Sequence, residues 1–212
     1  MQAASYRVQS QNRLQLCLEQ QDEILQFVRQ RFSEQHGARI QQLLPWQCVM
    51  RDESGAIQAS AGMNPAAAGP LFLEHYLTLP VEQQLAARLQ QPVARHEILE
   101  IGNLAASRGQ GRWLVMALTA YLATQGYRYV VFTATDQVRA LFHALALEPV
   151  WLERAERSAI PDPDLWGAYY QHDPHVVAGD IRHGWNILQQ QPRLLALLPQ
   201  LPLQSLPALE RT

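Results

Sequence analysis

A chain of 212 residues with 48% apolar and 17% charged residues is long enough to bury one substantial core and has an ordinary globular composition. Its formal net charge of −2 gives no electrostatic footprint for nucleic acid. All 17 basic residues are arginine, which excludes a Schiff-base lysine, a pyridoxal-phosphate lysine and a Walker lysine together.

The N-terminus is polar and rich in glutamine, without an apolar signal core. No run approaches the ~20 residues of a membrane span, so the expected compartment is the cytoplasm. Leu14, Leu16 and Leu18 alternate with Gln15 and Cys17 and predict a strand. Asp22 suits the start of a helix whose Ile24, Leu25, Val28 and Phe32 share a face, and Gly37 suits its end. Trp46–Arg51 and Ala56–Gly62 flank the turn sequence Asp52-Glu53-Ser54-Gly55 and read as a hairpin. Leu71–Leu77 is apolar apart from Glu74 and His75, and Pro80 suits the first turn of a helix carrying Val81, Leu85 and Leu89. Cys17 and Cys48 have no CxxC spacing and no clustered histidines. They read as buried thiols rather than a disulfide.

The central stretch is a strand over Glu97–Leu104, a break at Ser107–Gly111, a helix from about Arg112 and a second strand over Tyr129–Phe132. Leu114, Ala117, Leu118, Tyr121 and Leu122 give the helix one apolar face, and Gly126 suits its left-handed cap. The two strands are most economically parallel. Gly109 and Gly111 allow close backbone approach, and the unpaired N–H groups of the following helix form a site for phosphate. The turn is not a Rossmann fingerprint, because Leu114 stands where a third small residue is required, and it lacks the Gly-Lys-Ser/Thr of a P-loop.

Beyond it, Thr135 or Asp136 caps a helix holding Val138, Leu141, Phe142 and Leu145, and Pro149–Glu153 reads as a strand. Residues 160–175 combine three prolines with an aromatic cluster, Trp166, Tyr169 and Tyr170, and predict an ordered loop. Val176–Ile181 reads as the last strand, and Gln189 onward as a short helix followed by a tail. The expected organisation is one domain over residues 1–190 and a Leu/Pro-rich tail over 191–212. The tail leucines are broken by prolines and carry few positive charges. They read as a surface docked on the domain, or on the partner subunit of a homodimer, rather than as a membrane insert.

The strand–turn–helix resembles the acyl-CoA turn of GNAT N-acyltransferases, Arg/Gln-x-x-Gly-x-Gly/Ala. Gly109 and Gly111 are in register, but Ala106 stands where that family has Arg or Gln. More specifically, Leu71–Leu77, Glu100-Ile101-Gly102-Asn103-Leu104-Ala105, Val131–Thr135, Trp166–Tyr170 and Val177–Ile181 occur in an order that resembles the thermostable hemolysin family. That family is similar in fold to GNAT enzymes and distantly to acyl-homoserine-lactone synthases. The resemblance implies a single α/β (α+β) domain with a mixed, mostly antiparallel sheet, splayed at a central parallel pair, with helices on both faces.

It also implies N-acyl transfer from an acyl-CoA or acyl-carrier-protein thioester to a small amine or amino-acid-like acceptor. Such transfer needs positioning, a base and charge stabilisation rather than covalent catalysis. Glu100 is the candidate base or amine ligand, and Glu74 and Asn103 the candidates for orienting the acceptor. Ala105, Arg108, Gly109, Gly111 and Arg112 are the candidate donor-binding residues. Glu97 reads as solvent-facing, on the opposite face of the strand from Glu100. The GNAT tyrosine acid maps onto Phe142, and His143 points elsewhere on its helix.

His172 and His175 flank Asp173 without a further ligand at metal spacing, and Pro174 prevents a shared helical face, so no metal is expected. Trp166, Tyr169 and Tyr170 are either core or pocket lining. No Gly-x-Ser-x-Gly elbow offers a lipase nucleophile. Two other readings compete with acyl transfer. A membrane-active lytic protein predicts leakage of liposomes without any thioester, and a non-catalytic thioester-binding module predicts donor affinity without turnover.

Overall fold

The structure, a computed structural model, describes residues 13–17 and 22–192. Among the described residues, seven strands form one sheet in the order β1-β2-β3-β4-β5-β7-β6. They are β1 (Arg13–Cys17), β2 (Trp46–Arg51), β3 (Ile57–Pro65), β4 (Ile98–Ala106), β5 (Tyr129–Ala134), β6 (Val150–Arg154) and β7 (His175–Asp180). Only β4 and β5 run parallel, joined by the crossover helix α3 (Gly111–Gln125); the other neighbours are antiparallel.

The parallel pairing is short. It runs from Ile98 opposite Tyr129 to Ile101 opposite Phe132 and stops. Beyond that point β4 pairs only with β3, and β5 only with β7, so the sheet parts at its centre. A bulge marks the place. Three steps on β4 from Gly102 to Ala105 oppose two on β3 from Gly62 to Ser60, and Asn103 takes a positive φ of 49°. The bulge also reverses which residues face which side. Before it Leu99 and Ile101 pack toward α3; after it Leu104 and Ala106 do, and Ala105 turns to the opposite core.

Helices cover both faces. On one lie α3, α4 (Asp136–Ala144) and α5 (Ile181–Leu188). On the other lie α1 (Asp22–His36), α2 (Val81–Leu89) and the 3₁₀ turn Phe72–Tyr76. The helix α3 is apolar nearly all round, as suits a helix in the core: eight of its residues, from Leu114 to Leu122, are buried. Gly126 closes it in the left-handed conformation, and the Thr135 hydroxyl caps α4 at Val138.

Two expectations need correction. The helix α5 was not expected: it starts at Ile181, which the sequence reading placed in a strand, while the helix expected from Gln189 onward falls largely outside the described residues. Asp180 caps α5 through the His183 N–H, and Ile181 and Leu188 are buried on one face. The central strand begins at Ile98, because Glu97 belongs to a 3₁₀ turn where its carboxylate accepts the Ala94 N–H at 3.0 Å; Glu97 is half-buried. Cys48 is buried. The side chain of Cys17 and the tail from residue 193 lie outside the described residues.

A strap over residues 66–82 crosses the β4 face and is held by one arginine. Arg95 uses all five N–H donors: to Ala66 O and Gly69 O at 2.8 Å each, to Glu82 at 2.8 Å, and to both Glu74 oxygens at 2.7 and 2.8 Å. Glu74 also accepts from the Leu71 and Val81 N–H groups at 2.8 and 3.0 Å. The hydrogen bonds from Arg95, with those from the two backbone groups, bring its pKa from the ordinary 4.5 down to about 2. Arg95→Ala is therefore expected to lower stability by roughly 2–4 kcal/mol, read as a fall of about 5–15 °C in Tm. Because folding depresses the Glu74 pKa, its contribution is present above pH 4.5 and lost as pH falls toward about 2. Urea titrations of wild type and Glu74→Gln across that range are expected to differ at neutral pH and converge in acid.

Candidate functional site

The parting of β4 and β5 opens into a cavity of about 390 Å³. Its walls come from both faces of the sheet, so it passes through the gap between the strands. On one side Leu118 and Leu122 of α3, Val130 and Phe132 of β5, and Val138 and Phe142 of α4 form an apolar wall. On the other, His36 and the chain from Arg39 to Leu44 face Phe72, Tyr76, Trp166 and Tyr169. Residues Glu100–Ala105 lie between the two.

Glu100 is 3% exposed and accepts two backbone N–H groups of the strap, Leu73 at 2.9 Å and Phe72 at 3.2 Å. Burial raises its pKa; these two bonds and one from Asn64 oppose the rise, and the nearby Glu74 charge reinforces it. Its partners are the first N–H groups of a 3₁₀ turn rather than an arginine. Glu100 thus anchors the turn that delivers Phe72 and Tyr76 to the cavity. The Tyr76 hydroxyl in turn pairs with Tyr170 at 2.7 Å. Glu74, fully engaged by Arg95, does not line the cavity, so the two acidic candidates are not brought together there.

Asn103 lines the cavity at the bulge, and its Oδ1 accepts the Leu44 N–H at 2.8 Å. The same amide lies over Gly62, where an added Cβ would stand 2.9 Å from Oδ1 and 2.9 Å from Leu44 Cβ. Ala105 also lines the cavity. Gly109 takes a φ of 82° and Gly111 begins α3, which has no side-chain cap at its N-terminus. Arg108 and Arg112 are exposed beside them and form no ion pair among the described residues. The turn stands just beyond the cavity wall, between Ala105 and Val115.

Phe142 stacks on Phe132 with ring centroids 4.8 Å apart, while His143 is exposed and away from the cavity. Trp166 and Tyr169 line the cavity, whereas Tyr170 stands behind Tyr76. No group of three or more His, Cys, Asp or Glu gathers at metal-binding distance among the described residues. His175 instead packs on Trp151 with centroids 4.2 Å apart.

Sequence reasoning overlooked His36 and Arg31. His36, the last residue of α1, is 7% exposed, lines the cavity, and has no partner for Nδ1. Arg31 lines it too, with a buried, unpartnered Nε. Their local sequence is that of an exposed helix end. What buries His36 is the loop between β6 and β7: Ala168 N–H donates to the His36 carbonyl at 2.7 Å, and Gly167, at a φ of 51°, lies where any Cβ would collide with that carbonyl.

A family model described as thermostable hemolysin matches residues 15–185. No curated protein matches by sequence. Among solved structures the chain is similar to TofI in its apo form, with TM-score 0.57 and 16% identity over 87% of this chain and 99% of that one. It is similar to BjaI, a CoA-dependent acyl-homoserine lactone synthase solved with SAM and isopentyl-CoA, at TM-score 0.56 and 14% identity over 87% and 89%. It is also similar to FeeM, an N-acyl amino acid synthase from uncultured soil microbes, at TM-score 0.57 and 11% identity over 83% and 93%. At these identities the likeness is one of fold.

The bulge gives a test of its own. Gly62→Ala is expected to push the Asn103 amide off Leu44 and cost about 1–3 kcal/mol, because Leu44 Cβ cannot swing aside. Denaturation would measure the loss. Faster hydrogen exchange at the Leu44 amide, relative to distant core amides, would locate it.

Proposed function

We propose that this chain, which belongs to the thermostable hemolysin family, transfers an acyl group from a CoA or acyl-carrier-protein thioester to the amine of a small, amino-acid-like acceptor. The observation that carries this reading is the cavity through the parted strands. A thioester laid in the gap would have its acyl chain against the apolar α3–α4 wall. Its phosphates would meet the uncapped N-terminus of α3 at Gly109–Arg112. An acceptor entering from the α1 side would meet the thioester carbonyl at β4. The likeness in fold to BjaI, solved with isopentyl-CoA, and to FeeM, an N-acyl amino acid synthase, supports both halves of the reading.

In the reaction the amine nitrogen bonds to the thioester carbon, the C–S bond breaks, and the thiolate leaves with one proton. Glu100 holds the cavity wall by binding the strap, and its buried carboxylate attracts the acceptor ammonium without serving as its base. Asn103 fixes the bulge that keeps the strands apart. Arg39 brings positive charge to the acceptor side, beside Arg31, which is paired with Glu34 at 3.1 Å; this suits an acceptor bearing a carboxylate. Glu74 acts at one remove, through the strap. Such donors place the reaction in the cytoplasm, with residues 1–190 as the catalytic domain.

A specific observation favours a second reading, that of a thioester-binding module without turnover: the Glu100 carboxylate already serves backbone donors, and Phe142 replaces the usual tyrosine. Release of free thiol from octanoyl-CoA in the presence of amino acids separates the two. The membrane-active alternative has less behind it, since no helix among the described residues is long and apolar enough to cross a membrane.

Native mass spectrometry and thermal shift with acetyl-, octanoyl- and palmitoyl-CoA are expected to show tighter binding of octanoyl- than acetyl-CoA, since each buried methylene contributes about 0.8 kcal/mol. Gly111→Asp is expected to weaken octanoyl-CoA binding at least about tenfold. It sets a carboxylate against the donor phosphates where the added side chain already meets Leu141. Binding of no thioester, from CoA or carrier protein, would remove the proposal.

A further inference from the structure

An acyl transfer to an ammonium must release a proton to solvent, and the expected base is poorly placed to take it. Glu100 is occupied by the Phe72 and Leu73 N–H groups. His36 has the opposite character: more than nine-tenths buried, on the cavity wall, with an imidazole nitrogen that has no partner. That nitrogen, Nδ1, is sealed in the wall without a partner, so no hydrogen bond among the described residues ties up the ring that lines the cavity.

The ring is also held in place. Tyr169 meets it edge-on at 5.2 Å and Phe32 at 5.9 Å between centroids, while Ala168 and Gly167 clamp its backbone. Behind it His172 makes an edge contact at 5.0 Å, and His172 Nδ1 lies 3.8 Å from the exposed Asp136 carboxylate. The sequence from cavity to surface is thus His36, His172, Asp136.

We infer that His36 is a catalytic residue of this site, taking a proton from the acceptor ammonium, while His172 and the Asp136 carboxylate beside it act on the ring through their charge. The inference rests on the acyl-transfer reading above. The acceptor R–NH₃⁺ loses one proton to His36 and becomes the attacking amine. After C–N bond formation and C–S cleavage, a second proton moves from nitrogen to the leaving thiolate. The products are an amide, a free thiol and one proton delivered to solvent.

The groups facing His36 are His172 and Tyr169 from the β6–β7 loop and Asp136 from the start of α4. The cavity wall adds Arg31 and Arg39 on the α1 side, Asp162 from the β6–β7 loop and Glu100 from β4. Burial lowers the His36 pKa below 6.5, the His172 charge lowers it further, and Asp136 raises it, so the ring is neutral and able to accept at neutral pH.

The test measures thiol release from octanoyl-CoA with the twenty amino acids as acceptors, across pH. His36→Gln is expected to lower kcat by about 10²–10⁴-fold with octanoyl-CoA binding unchanged. It should abolish the acid limb of kcat/KM, and its deficit should narrow as pH rises toward the pKa of the acceptor amine. Asp136→Asn leaves His36 in place and removes a charge that raises its pKa, so the acid limb should move to lower pH even if His36→Gln folds poorly. A His36→Gln protein that binds octanoyl-CoA and keeps the wild-type rate and pH profile overturns the role of His36 alone, as does an acid limb that Asp136→Asn leaves unmoved. Wild-type protein that binds octanoyl-CoA but releases no thiol overturns the acyl-transfer reading and this inference with it.

Discussion

The structure depends on a single interruption: β4 and β5 stop pairing after Ile101 and Phe132. Parallel strands in the middle of a sheet ordinarily keep every backbone donor and acceptor in the ladder, so parting them has to be compensated from outside. The bulge at Asn103 fixes the point of parting. Its positive φ turns the strand, its amide accepts the Leu44 N–H, and Gly62 on the neighbouring strand leaves the space it needs. Each strand then keeps one antiparallel neighbour, and the gap becomes a cavity rather than a defect.

Everything on the far face serves to hold that gap in shape. Arg95 and Glu74 tie the strap over residues 66–82 into one piece, and Glu100 fastens the piece to β4. The result is a division of labour between two carboxylates in similar apolar stretches. Glu74 is stabilised as an anion by its arginine; Glu100 is desolvated and holds backbone N–H groups. The loop between β6 and β7 closes the same face, clamping the end of α1 so that His36 is buried against the cavity.

Much of this fold was legible in the residues. Strand, Gly-containing turn, helix and strand from Ile98 to Ala134 follow from β-rich runs on either side of a helical apolar period. The hairpin of β2 and β3 follows from Asp52–Gly55, and Gly37 and Gly126 mark helix ends. The helix α5 was hidden because Ile181 continues the apolar run of β7 and Gly184 interrupts a helical pattern; only Asp180 signalled a start. The candidate site was legible in part. Glu100 and Asn103 lie on the cavity, but nothing local distinguishes Glu100 from Glu74, since the difference is made by Arg95, 21 residues along the chain from Glu74. His36 was invisible for the same reason: its burial is imposed by Gly167 and Ala168, far away in sequence.

Acyl transfer at this site requires that the thioester lie in the gap between β4 and β5. The most direct measurement is a crystal structure of the protein with octanoyl-CoA. The expected complex has the thioester carbonyl between the strands near Ile101–Asn103, the acyl chain along Leu118, Leu122 and Phe142, and the phosphates at Gly109–Arg112. Octanoyl-CoA bound elsewhere on the molecule, with the gap still open, would contradict acyl transfer at this site.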